Sequence, residues 1–175
     1  MSDMANSIMD IAERQIRVGG YGAFSFRDIA AEVGIKSASI HYHFPTKENL
    51  TVAVLKRYTA RVSDYIDELY ESERDPVKLM AKAFGDPVHS ADRLCPCINL
   101  GAAIGDVPAE VSKEVAAYYR MWVVKMEALG LKRQKATTVM AALVGAQLLA
   151  RVFDDVKAYD DAAEEVVREH SQLAA

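Results

Sequence analysis

Apolar residues recur at three- and four-residue spacing along most of the chain, and period-two alternation is rare, so the pattern predicts an all-α protein. A first helix runs from about Ala5 to Val18, with Ile8, Ile11, Ala12 and Ile16 on one face, and Gly19-Gly20 end it. A second opens at Ser25, where Ser25-Phe26-Arg27-Asp28 resembles a capping box with Asp in place of Glu. Ile29, Ala30 and Val33 line its inner face, and Gly34 closes it. Ser37 is placed to cap a third helix reaching Phe44. Pro45 then breaks the chain, and Thr46 caps a long fourth helix from Lys47 to about Glu71.

Beyond Asp75-Pro76 the pattern restarts. Pro76 to Phe84 forms a short helix, and Gly85-Asp86-Pro87 reads as a turn. A loop through His89 and Ser90 leads to Leu94-Cys95-Pro96-Cys97 and a short helix ending near Gly105. Val107-Pro108 starts a long helix to Leu129, stopped by Gly130. A last long helix covers about Lys132 to Val156, with a break before an end helix over residues 160–170. Val139, Leu143, Ala146, Ala150 and Phe153 form a seam on it with Gly145 and Ala142 alongside; such a stripe is either internal core or a two-fold dimer interface.

Composition narrows the class. With 51% hydrophobic and 26% charged residues in 175, the chain reads as a soluble globular protein with a real core. Asp3, Asp10 and Glu13 interrupt any secretory h-region, and the most apolar stretch, Val139 to Ala150, is shorter than a membrane span. The expectation is a cytoplasmic protein with no membrane partner. Net charge is −4, yet residues 1–62 hold 8 Lys/Arg against 6 Asp/Glu, while residues 63–175 hold 13 against 19. A slightly basic head on an acidic body fits contact with DNA at one end.

The two short helices joined by Gly34-Ile35-Lys36 have helix-turn-helix proportions. Ala30 is small where the helices approach, Gly34 permits a left-handed turn, and Ile29, Val33, Ile35 and Ile40 make an internal core. An ordinary helical hairpin shares that core but does not need the polar outer face of Lys36, Ser37, Ser39 and Tyr42, which suits phosphates and base edges. Lys47, beside the exposed N–H groups of the fourth helix, makes an anion site. His41 and His43 point about 200° apart on a helix and do not share a metal.

Gly20-Tyr21, then Ser25-Phe26-Arg27-Asp28-Ile29-Ala30, then the run Gly34 to Leu50 together resemble the TetR family of bacterial transcriptional repressors over about residues 8–55. The departures are Ala38 where glycine is common and His41 where tyrosine is common. The resemblance implies an N-terminal three-helix bundle with a helix-turn-helix (residues 1–55), joined by a long helix to an α-helical effector-binding and dimerisation domain (56–175). It implies that Ser37, Ser39, His41, Tyr42 and His43 face the major groove or its flanking phosphates. Ser25, Arg27, Lys36 and Lys47 complete the implied DNA-binding set. The function so implied is a homodimeric regulator, a repressor released from a palindromic double-stranded operator by a small-molecule or electrophile effector. The alternative is a helical adaptor that uses the head for protein contact.

Cys95-Pro96-Cys97 carries the other candidate chemistry. Proline at a first helical turn places the thiols at a helix N-terminus, which favours the thiolate, and Arg93 is positioned to add to this. Thiol sensing, small buried apolar residues, and a zinc site with His89 are the three readings; the last has too few ligands. Met80, Phe84, Tyr118, Tyr119, Trp122 and Met126 have the spacing of a ligand-pocket lining and equally of plain core. No histidine has an Asp/Glu orienter at motif spacing and no Gly-rich phosphate loop exists, so the sequence reads as no enzyme, with no cofactor and no metal.

Overall fold

A computed structural model describes residues 3–90 and 94–171. Among these residues there are nine α-helices and no strand: α1 (Asp3–Gly19), α2 (Phe26–Val33), α3 (Ser37–His43), α4 (Lys47–Ser72), α5 (Pro76–His89), α6 (Pro96–Ala102), α7 (Ala109–Ala128), α8 (Arg133–Phe153) and α9 (Lys157–His170). Short 3-10 turns lie at Tyr21–Ala23 and Ile104–Asp106. The chain forms two compact units. One groups residues up to Thr59 with Cys95–Tyr118; the other groups Ala60–Leu94 with the chain from Tyr119 onward. The all-α expectation is met.

In the first unit the helix ends follow from local chemistry. Ser25 and Asp28 close a complete capping box on α2, and Gly34 ends the helix in the left-handed region at φ 80°. The backbone N–H groups of Gly34 and Ile35 both donate to the Ala30 carbonyl, so the turn is tight. Lys36 consequently takes the cap position of α3 with no side-chain bond, and Ser37 is already the first helical residue rather than the cap. Thr46 caps α4 as its sequence suggests, accepting from the Asn49 N–H at 3.1 Å. Ile8, Met9, Ile16, Phe24, Ile29, Ile40, Phe44 and Leu50 form the core between these helices.

In the second unit α5 passes straight through the expected turn at Gly85-Asp86-Pro87 and ends at His89. Tertiary packing decides this. A side chain at Gly85 would come within 2.9 Å of the Tyr159 ring, and the Tyr159 hydroxyl donates to the Ala81 carbonyl at 2.6 Å, so α9 is seated on that helical stretch. α8 stops at Asp154, a left-handed residue at φ 52°, so α8 ends at Phe153 and α9 starts at Lys157.

The faces of α8 divide sharply. Val139, Leu143, Ala146 and Ala150 are buried within the unit, which makes this part of the seam internal core; Phe153, the fifth seam residue, falls outside it. Leu148, Leu149, Val152 and Phe153 are exposed, the last two at 68% and 63%. By length and composition alone α8 could cross a membrane, being longer than the Val139–Ala150 stretch. Its buried seam, with Gln147 donating to the Phe84 carbonyl, is that of a core helix.

Asp75 anchors the start of α5, accepting from the Val77 and Lys78 N–H groups at 2.8 and 3.2 Å and from the Ser171 hydroxyl. Asp75→Ala removes this fully buried cap and lowers stability by about 1–2 kcal/mol in urea unfolding, whereas Asp75→Asn retains most of it.

Candidate functional site

α3 turns Ile40 inward against the core and leaves the opposite side open. Tyr42 is 85% exposed, and Lys36, Ser39 and His41 are exposed around it, with Ser37 and His43 half-buried at the margins. This is a short helix fixed by its buried face and by the Gly34 turn, with its polar face presented to solvent. Arg27 is exposed on the first turn of α2.

The two histidines do different work. His41 packs its ring edge-on to Phe26 at 4.8 Å, and its Nδ1 lies 3.2 Å from the Pro45 carbonyl. A carbonyl only accepts, so Nδ1 carries the proton and, in the neutral ring, Nε2 is left as an acceptor. His43 instead sits edge-on to Tyr42 at 5.2 Å.

Two of the sequence candidates have prior commitments. The Ser25 hydroxyl accepts the Asp28 N–H at 3.2 Å and donates to the Asp28 carboxylate at 2.6 Å, and this last bond, with one from the Ser25 N–H at 3.1 Å, holds that carboxyl below its usual range. Lys47 donates to the Phe24 carbonyl at 2.6 Å and lies over the Phe24 and Tyr21 rings at 4.4 and 4.8 Å, while partial burial lowers its pKa. Lys47 therefore ties the 3-10 turn to the start of α4.

The cysteines sit in the same compact unit as α3, on the cap and first turn of α6, and both are buried. Arg93 lies outside the described residues. Among the described residues, Arg17 is a cation that acts on the thiols, and the sequence does not single it out. It is buried on α1, pairs with Glu13 at 2.8 Å and lies over the Tyr58 ring at 5.2 Å. Burial opposes ionisation of Cys95, but hydrogen bonds from the Cys97, Tyr58 and Tyr118 side chains outweigh it and bring the thiol down to about 6. Burial and the neighbouring Cys95 push Cys97 well up, so Cys95 is the more readily ionised of the two sulfurs. Tyr58 and Tyr118 face each other with ring centroids 5.5 Å apart.

Sequence reasoning missed Arg17, Tyr58 and Asn99. A Glu13–Arg17 pair at i,i+4 is visible in the sequence, but its burial is not. Of the other predicted lining residues, Met80, Phe84, Trp122 and Met126 are buried in the second unit, with the Phe84 and Trp122 rings 4.8 Å apart, and Tyr119 is half-buried. Tyr118 belongs to the thiol cluster. Trp122 Nε1 and Gln147 Oε1 are buried there without a hydrogen-bond partner.

A tight turn holding one helix under another whose polar face is open defines a helix-turn-helix DNA-binding protein. Residues 8–54 match the model of the bacterial regulatory proteins of the tetR family. The fold is similar to a TetR-family transcriptional regulator from Agrobacterium tumefaciens, at 28% identity and a TM-score of 0.88, covering 95% of this chain and 97% of that one. It is also similar to a TetR regulator from Legionella pneumophila, at 25% identity and 0.85, covering 97% and 98%. The reduced form of E. coli NemR, at 17% identity and 0.86 with 99% and 100% covered, shares the fold. No curated protein matches the chain. The chain thus carries a tetR-family DNA-binding region over residues 8–54 and has the fold of TetR-family transcriptional regulators.

The thiol assignment is open to titration. Thiolate absorbance appears as pH rises through about 6 and is absent from Cys95→Ser. Because the folded pKa lies below the ordinary thiol value, the stability this thiolate contributes is complete above that value and is lost as pH falls through about 6.

Proposed function

We propose that the protein is a homodimeric repressor that grips a palindromic duplex with α3 and is released when its helical body takes a small molecule or when its thiols are modified. The open face of α3 is the observation that carries the reading: Tyr42, Lys36, Ser39 and His41 are exposed on a helix whose other side is core. Lys36 supplies charge for a phosphate, Ser37 and Ser39 supply hydroxyls, and Tyr42 supplies a protruding ring. His41 presents Nε2 as an acceptor suited to an adenine or cytosine amino group. Arg27 and His43 flank this face, and Ser25 and Lys47 support it through the turns they hold.

Dimerisation is supported by the exposed apolar stripe Leu148, Leu149, Val152 and Phe153 on α8, with Gly145 and Ala142 on the adjoining surface. A two-fold pair of recognition helices matches a palindrome with half-sites about 34 Å apart. For a small effector, Met80, Phe84, Tyr119, Trp122 and Met126 supply an apolar lining. The unpaired Trp122 N–H and Gln147 carbonyl supply one donor and one acceptor, which suits a neutral ligand carrying both. The effector favours the form that does not bind DNA, and by linkage the operator weakens effector binding by the same factor.

Two measurements test this reading. Fluorescence anisotropy with duplexes flanking the protein's own gene shows sequence-selective binding that falls steeply between about 50 and 200 mM salt. Lys36→Ala weakens it across sequences and reduces the salt slope by about one, while Tyr42→Ala costs about 1–3 kcal/mol. Absent or salt-independent binding sinks the proposal and favours an adaptor. Leu149→Glu/Val152→Glu yields a monomer by light scattering and weakens operator binding by about 100-fold, the loss of a tethered second half-site.

A further inference from the structure

We propose that Cys95 and Cys97 form a two-thiol switch for a water-sized two-electron oxidant of the peroxide class, and that Asn99 carries its state through the end of α1 to the DNA-binding helices of the same unit. The inference rests on the reading of that unit as the DNA-binding one.

Three features of the first unit support it. The first is chemical polarity within the pair. Cys95 Sγ accepts hydrogen bonds from two tyrosine hydroxyls and from Cys97, with Arg17 as the nearby cation, so the reactive sulfur and its resolving partner already touch. The second is access. Cys95 and Cys97 are only 1% and 0% exposed, and Tyr58 and Tyr118, both buried, close over Cys95. A bulky electrophile cannot approach such a sulfur, whereas hydrogen peroxide is neutral and little larger than water.

The third is the mechanical connection. Asn99, one turn beyond Cys95 on α6, donates from Nδ2 to the Ile16 carbonyl at 3.1 Å and the Arg17 carbonyl at 2.5 Å. Both carbonyls lie in the last turn of α1; that of Ile16 also accepts the Gly20 N–H at 2.9 Å, so Asn99 adds a second donor at the helix end. Beyond Asn99 a cavity of about 360 Å³ opens between Gly19–Gly22 and Ala103, Asp106 and Val107, which leaves α6 room to shift.

The Cys95 thiolate attacks one peroxide oxygen; an S–O bond forms, the O–O bond breaks, and sulfur is oxidised by two electrons as the peroxide is reduced. The released hydroxide takes the Cys97 proton and leaves as water. Cys97 thiolate then attacks Cys95 Sγ, forms the disulfide and expels the sulfenic hydroxyl, which a solvent proton converts to a second water. Drawing two sulfurs that now only touch into a covalent bond reshapes the cap and first turn of α6. Asn99 moves with that turn and releases or redirects the end of α1.

The test uses the full-length protein. Reduced protein is first titrated with operator duplex, then exposed to hydrogen peroxide, with the disulfide mapped by peptide mass and affinity remeasured. The expected result is a Cys95–Cys97 disulfide, an affinity loss of about tenfold, within the range of ordinary coupling, and recovery on reduction. A maleimide leaves the folded protein unmodified while labelling both thiols in urea. Asn99→Ala forms the disulfide at the wild-type rate but loses most of the affinity change, which separates a positioning role from a merely structural one. The switch is overturned if peroxide leaves both thiols free, if the disulfide forms with no change in affinity, or if Cys95→Ser/Cys97→Ser responds as wild type does. Failure of the reduced protein to bind any duplex overturns the DNA-binding reading instead, and the mapped disulfide still decides the thiol chemistry.

Discussion

A buried positive charge organises the first compact unit. Arg17 is almost wholly withdrawn from water, and an isolated guanidinium there would be prohibitive. Its neighbours are accordingly arranged around it: the Glu13 carboxylate one turn back on α1, the Tyr58 ring from α4, and the Cys95 sulfur at the cap of α6. Burial disfavours the charged form of Arg17, and these partners more than offset it. Arg57 extends the network from α4, reaching Asp10 at 2.7 Å and Glu13 at 3.4 Å. Three separate stretches of chain thus meet on one charge, and the packing of α1 against α4 and α6 depends on keeping it paired.

That constraint reaches α3 by ordinary packing. α1 carries Ile8, Met9, Ala12 and Ile16 against the core that Ile29 and Ile40 also fill. α3 has few bonds of its own to hold it: its cap residue makes no side-chain bond, and seven residues are too few for an independent helix. Its orientation comes from Ile40, Phe44 and the Gly34 turn. A regulator gains from such a design, because a modest change beneath the helix alters its presentation without unfolding anything.

The second unit is built differently. Its helices are long, its core is aromatic and aliphatic, and side chains tie that core to backbone carbonyls, Gln147 to that of Phe84 and Tyr159 to that of Ala81. The two faces of α8 have separate uses: one closes the core and the other is left apolar and exposed. Two of the three boundaries between the units fall inside continuous helices, α4 and α7, and the third falls between Leu94 and Cys95.

The sequence by itself determined the helical class, the helix-turn-helix and most of the helix ends, because these are local matters. Periodicity, capping by Ser25 and Thr46, and the left-handed Gly34 act within one turn of chain. It also marked the Cys-Pro-Cys stretch as a helix start, since proline at that position needs no N–H partner. Only the tertiary structure decided which stripe of α8 is core, that α5 runs through Pro87, and that residues 95–118 join the N-terminal helices. Each depends on partners distant in sequence: Phe84 beneath Gln147, Tyr159 over Gly85, and α1 beneath Asn99. The same holds for the thiols. Their spacing was legible, but the readier ionisation of Cys95 comes from Cys97 together with Tyr58 and Tyr118, which reach it only when α4 and α7 pack around one buried site.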